Sequence, residues 1–100
     1  MKAPYFVELL TRTGEVLQRH QVAELPIYLG RGYENDVILD DAHTAASHAM
    51  VEALDDGHLL LRDLGSRNGT IHRGQKRGNI ILDGDTVVRL GQPLPCLARY

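Results

Sequence analysis

Arg31 follows Gly30, and Arg67 precedes Asn68 inside the run Leu64-Gly65-Ser66-Arg67-Asn68-Gly69-Thr70. A guanidinium is a planar fork of donors that can hold two oxygens of one oxyanion. A side-chain amide both donates and accepts, so Asn68 offers both kinds of hydrogen bond. These residue types suit the holding of an oxyanion better than bond making. No serine sits in a nucleophile motif, and neither does the lone Cys96. His20, His43, His48, His58 and His72 show no metal-ligand spacing. Gly30-Arg31-Gly32 is not a dinucleotide fingerprint, because Asn35 stands where a third glycine belongs. Asp83-Gly84-Asp85 lacks the remaining ligands of a calcium loop and reads as a turn. Recognition without metal or cofactor is expected, not catalysis.

The elements that must carry these residues are strands. Apolar residues come in short bursts between turn signals. The expected strands are Tyr5–Thr11, Glu15–Val22, Pro26–Leu29, Val37–Leu39, Ser47–Leu54, His58–Leu64, Thr70–His72, Asn79–Leu82, Thr86–Leu90 and Cys96–Tyr100. Thr13-Gly14 and Asp55-Asp56-Gly57 read as hairpin turns. Leu59 and Leu61 alternate with Leu60 and Arg62, and Ala49, Val51 and Ala53 alternate with Met50 and Glu52, so each strand buries one face. His43–Ala49 reads as a loop with room for one helical turn. About 10–11 short strands in 100 residues predict an all-β sandwich of two antiparallel or mixed sheets. One domain over residues 1–100 is expected.

The chain is 43% hydrophobic, enough to build a core unaided. A single cysteine cannot form an internal disulfide, which fits a reducing compartment. Net charge is −2, and no basic run is longer than Lys76-Arg77. That argues against duplex nucleic acid as the main partner. No apolar run approaches the about 20 residues of a membrane span, and the N-terminus lacks a signal peptide, so a cytoplasmic location is expected.

Several blocks stand in a fixed order: Gly30-Arg31, Asn35-Asp36-Val37-Ile38-Leu39-Asp40-Asp41, His48-Ala49, Leu61-Arg62-Asp63-Leu64-Gly65-Ser66-Arg67-Asn68-Gly69-Thr70, Asp83-Gly84-Asp85 and Arg89-Leu90-Gly91. Together they resemble the forkhead-associated (FHA) domain, a β-sandwich that reads phosphothreonine. The resemblance covers residues 27–91. It implies a phosphopeptide site made of Arg31, Thr44, Ala45, Ser47, Ser66, Arg67 and Asn68. Gly30, His48, Gly69 and Thr70 would support that site. Asn68 would bind the partner's main chain, Arg67 would touch the phosphate or its neighbours, and His48 would brace the loop. The hydroxyls of Ser66 and Thr70 also suit a purely structural role in a tight turn.

This sequence departs from the family where Ser-x-x-His is usual. Here the segment reads Ala45-Ala46-Ser47-His48, so Ala45 removes a phosphate donor. A hydrogen bond to a charged group is worth roughly 1.5–3 kcal/mol. Thr44 and Ser47 are the candidate substitutes. Arg73-Gly74 replaces the usual Asn-Gly in the hairpin after Thr70, which concerns turn stability more than function. The stretch Gly84–Gly91 is one residue longer than usual, which predicts a β-bulge. Two binding readings stand: a phosphothreonine module with a weakened or altered pocket, and a degenerate module that docks a protein, or itself, without phosphorylation. The partner and the oligomeric state are not given by the sequence.

Overall fold

The computed structural model describes residues 5–10, 14–22, 24–82, 86–90 and 95–99. Eleven strands follow one another: β1 (Tyr5–Leu10), β2 (Val16–Val22), β3 (Ile27–Gly30), β4 (Val37–Ile38), β5 (Ala49–Ala53), β6 (Leu59–Asp63), β7 (Thr70–His72), β8 (Gln75–Lys76), β9 (Asn79–Leu82), β10 (Thr86–Leu90) and β11 (Pro95–Arg99). They form one sheet in the order β2-β1-β11-β10-β7-β8 and a second in the order β4-β3-β5-β6-β9. β3 and β4 run parallel, and the other described pairs are antiparallel. No helix among the described residues is long and apolar enough to cross a membrane.

Period-two patterning builds the core. Val7 and Leu9 of β1 and Val88 and Leu90 of β10 come from the six-stranded sheet. Ile27, Leu29, Ala49, Val51, Leu59, Leu61, Ile80 and Leu82 come from the other, and all are buried in one cluster. Fully burying such a side chain contributes about 1.5–3 kcal/mol. Two residues read as alternating depart from the pattern: Ala53, at the end of β5, is exposed, and Leu60 of β6 is buried beside Leu59 and Leu61.

Register places the loops that carry the expected site residues. Leu29 pairs with Ala49, so the end of β3 lies beside the start of β5. Ala49 pairs with Asp63, so the end of β6 lies there too. The loops after β3, before β5 and after β6 therefore leave one edge of the five-stranded sheet.

The expected strands differ from the observed ones mainly at their ends. β5 begins at Ala49 rather than Ser47, because His48 turns inward to hold the loop before it. Residues 43–48 form turns with no helix. β8 was not expected: it is two exposed polar residues, so it carries no apolar pattern. The bulge expected in Gly84–Gly91 is absent from Thr86–Leu90. Thr86, Val87, Val88 and Arg89 pair without a shift to Ala98, Leu97, Cys96 and Pro95. Gly84, Asp85 and Gly91 lie outside the described residues, as do Thr13, Tyr100 and the side chain of Cys96. A register shift occurs instead between Leu9 and Leu10, against β2.

The β7–β8 turn holds Arg73 at φ 53° and Gly74 at φ 77°. Two consecutive positive φ values make a type I′ turn, which asparagine tolerates and a long side chain does not. Arg73→Asn is expected to raise stability by about 1 kcal/mol, read from the midpoint of urea unfolding. An unchanged or lower midpoint would contradict the assignment.

Candidate functional site

Three loops meet at the edge set by the β3, β5 and β6 register. The Arg31 amide donates to the Ala45 carbonyl at 2.9 Å, and the Gly32 amide donates to the Ala46 carbonyl at 3.1 Å. Asn35 strengthens this seam: its Nδ2 donates to the Gly32 carbonyl at 2.8 Å and to the Ala46 carbonyl at 2.7 Å. Gly30 is required by close approach. A Cβ there would collide with the Ala46 carbonyl oxygen and lie 2.9 Å from Asn35 Nδ2.

His48 joins the loop before β5 to the loop after β6. Its Nδ1 accepts from the Ala45 amide at 3.0 Å. Its Nε2 lies 2.9 Å from the Gly69 carbonyl, which can only accept, so Nε2 carries the proton. The ring is therefore the neutral Nε2–H tautomer, and it is fully buried. The backbone closes the same junction through the Leu64 amide, which donates to the His48 carbonyl at 2.8 Å. Asn68 adds another tie, with Nδ2 donating to the His43 carbonyl at 2.8 Å.

Asp63, the last residue of β6, organises the loop that follows. Its carboxylate accepts from the Gly65 amide at 2.8 Å, the Ser66 amide at 2.8 Å, the Ser66 hydroxyl at 2.6 Å and the Thr70 hydroxyl at 2.7 Å. The Ser66 hydroxyl in turn accepts from the Gly69 amide at 2.9 Å. Burial pushes the Asp63 carboxyl up. The Ser66 and Thr70 hydroxyls and the Ser66 amide outweigh burial and hold it below its ordinary 3.8.

A folded-state pKa below the unfolded one stabilises the protein above the unfolded value, and that contribution is lost as pH falls through the folded value. The wild type is therefore expected to lose melting temperature more steeply than Asp63→Asn below about pH 4. Parallel acid curves for the two would contradict this role.

The residues expected at the site divide by what their side chains do. Arg31, Ser47, Arg67 and Asn68 are exposed at the meeting of the loops, and Ala45 is half-buried among them. Among the described residues, nothing hydrogen bonds to the Ser47 hydroxyl or to the amides of Ala46 and Ser47. Thr44 faces the other way: it is 3% exposed, and its hydroxyl donates to the Leu90 carbonyl at 2.9 Å. It ties the loop to β10 across the sandwich and has no free hydroxyl for a phosphate. Ser66 is committed to Asp63, as are the supporting residues Thr70, through its own hydroxyl, and Gly69, through Ser66. The bracing roles of Asn35 and Asp63 were not anticipated. For Asp63 the signal was present, since a carboxylate two and three residues before Gly65-Ser66 forms an Asx turn.

No group of His, Cys, Asp and Glu among the described residues is arranged to hold a metal ion. The site is a set of donors and one amide on rigid loops at the edge of a sandwich, the arrangement of a β-sheet protein-interaction module.

The chain belongs to the FHA domain family, whose sequence model matches residues 27–91. Among solved structures it is similar to an FHA domain from a structural and functional analysis of phosphothreonine-dependent FHA domain interactions. That similarity is 26% identity and a TM-score of 0.80, over 98% of this chain and 97% of that one. The FhaA FHA domain, solved in complex with the intracellular domain of Rv3910, is 26% identical with a TM-score of 0.78, over 95% of this chain and 99% of that one. The FHA domain of the CT664 protein from Chlamydia trachomatis shares the fold, at 24% identity and a TM-score of 0.81, over 98% of both chains. No curated protein matches the chain significantly.

Proposed function

We propose that this module binds phosphothreonine-containing proteins through a pocket weakened by Ala45. Arg31, Arg67, the Ser47 hydroxyl and the amides of Ala46 and Ser47 are its phosphate donors. Asn68 positions the partner's backbone. The observation that carries this reading is the His48 bridge from the Ala45 amide to the Gly69 carbonyl, at 3.0 Å and 2.9 Å. It keeps both recognition loops in place although the family serine is gone. The phosphothreonine-dependent interactions studied for one similar FHA domain, and the protein partner of another, support the same class of ligand. The chain acts as a single binding domain in the cytoplasm, with no catalytic step of its own, and neither nucleic acid nor a membrane is its main partner.

A second reading, phosphorylation-independent docking or self-association, is favoured by the methyl group of Ala45 together with the inward hydroxyl of Thr44. Titration with matched phosphothreonine and unmodified peptide libraries separates the two. The first reading expects preference for the phosphorylated set, and loss of that preference in Arg31→Ala. Equal binding of both sets by the wild type would reject it and leave the second.

A further inference from the structure

Residues 67–77 carry Arg67, Arg73, Lys76 and Arg77 and no carboxylate, in a chain of net charge −2. Arg19 and Arg62 are paired elsewhere, at 3.4 Å from Glu8 and 2.7 Å from Glu52. Among the described residues, none of the four cations in 67–77 has a carboxylate at ion-pair distance.

The fold brings this charge to the recognition loops. Lys76 pairs with Ile71 in the β7–β8 hairpin. Its stem lies over Gly69, so closely that a Cβ on Gly69 would collide with Lys76 Cε and meet Cγ at 2.8 Å and Cδ at 2.9 Å. Gly69 directly follows Asn68, so the ammonium is carried on a stem crossing the loop that holds this amide. Arg77 is fixed beside it: its amide donates to the Thr70 carbonyl at 2.9 Å, and its guanidinium donates to Gln75 Oε1 at 2.7 Å. His72 reports the field. Its imidazole is held below its ordinary 6.5 first by burial and then by the charges of Arg73 and Arg77.

We propose that Lys76, backed by Arg73 and Arg77, forms a second anion subsite that reads an anionic side chain flanking the phosphothreonine in the partner. This rests on the phosphothreonine reading above. An ammonium is a compact point charge on a flexible stem, so a carboxylate and a second phosphate both satisfy it. A short hairpin on a net-acidic domain is too small a basic face for backbone binding of nucleic acid.

Fluorescence anisotropy of the whole chain tests this with four peptides. One has phosphothreonine in neutral flanks, one has phosphothreonine with Asp and Glu flanks, one carries a second phosphate, and one is acid-flanked but unphosphorylated. The anionic-flank phosphopeptides are expected to bind about three- to fivefold tighter than the neutral one. That gain should shrink with salt. Lys76→Met keeps a stem over Gly69 and should erase the gain without changing affinity for the neutral-flank phosphopeptide. Lys76→Arg should keep it. A gain confined to the second phosphate names phosphate as the ligand, and equal gains name charge alone.

Phosphate dependence with no flank effect, or a flank effect untouched by Lys76→Met, overturns the subsite alone. No phosphate dependence for any peptide overturns the pocket reading and the subsite with it. Tighter binding of an oligonucleotide than of the acid-flanked phosphopeptide would assign the hairpin to nucleic acid and also overturn the subsite.

Discussion

Asp63→Ala is expected to lower folding stability by about 3 kcal/mol or more, measured by denaturant unfolding. The carboxylate accepts from two amides and two hydroxyls, and Thr70 beneath it is fully buried. Removing it leaves those donors without their acceptor, and each buried orphan costs about 1–3 kcal/mol. Partial entry of water reduces the sum. Ser66→Ala removes one donor and one acceptor of the same network and is expected to cost less, about 1–2 kcal/mol. An Asp63→Ala protein within about 0.5 kcal/mol of wild type would mean that the loop after β6 is held by His48 and the backbone alone.

Ala45→Ser is the largest expected gain of function. A hydroxyl placed beside the exposed amides of Ala46 and Ser47 should strengthen phosphothreonine binding by roughly 1.5–3 kcal/mol, or about ten- to 150-fold. Arg31→Ala in the same chain should cancel that gain, since hydroxyl and guanidinium would hold one phosphate. The inward hydroxyl of Thr44 narrows the alternatives. If Ala45→Ser brings no gain, Ser47 is the remaining side chain able to substitute, and Ser47→Ala should then weaken binding in the wild type. If neither change alters the response to phosphorylation, docking without phosphate is the better reading. Calorimetric titration of one phosphothreonine peptide and its unmodified form against the wild type and these three variants decides among them.

The sandwich was legible because its signals are local and redundant. Ile80 and Leu82 alternate with outward residues, and a slip of one residue would expose them both. β8 was invisible for the opposite reason: Gln75 and Lys76 are exposed and pair through the backbone alone, which leaves no trace in hydropathy. The bulge expected in Gly84–Gly91 does not fall within Thr86–Leu90, where β10 keeps an unbroken register against β11. At the site, residue types and order pointed to Arg31, Arg67 and Asn68. Sequence could not show which way a hydroxyl turns. Thr44 and Ser47 are both small and polar within one loop, yet one bonds across the core and the other faces solvent. That choice is made by β10, some forty-six residues away from Thr44 in sequence. The basic residues of 67–77 read as scattered because no more than two are consecutive, and the approach of Lys76 to Gly69 needed the hairpin.

The His48 bridge has a consequence for the entropy of recognition. Flexible loops must be ordered when a ligand arrives, at about 0.5–1.5 kcal/mol for each immobilised side chain. Here one neutral imidazole fixes the Ala45 amide and the Gly69 carbonyl before any partner is present. Ordering is then charged to folding rather than to binding, and it is independent of whether residue 45 carries a hydroxyl. A preorganised frame of this kind can lose a ligand contact without losing its shape. Affinity can therefore be lowered or restored by one side chain, while the geometry that selects the ligand stays the same.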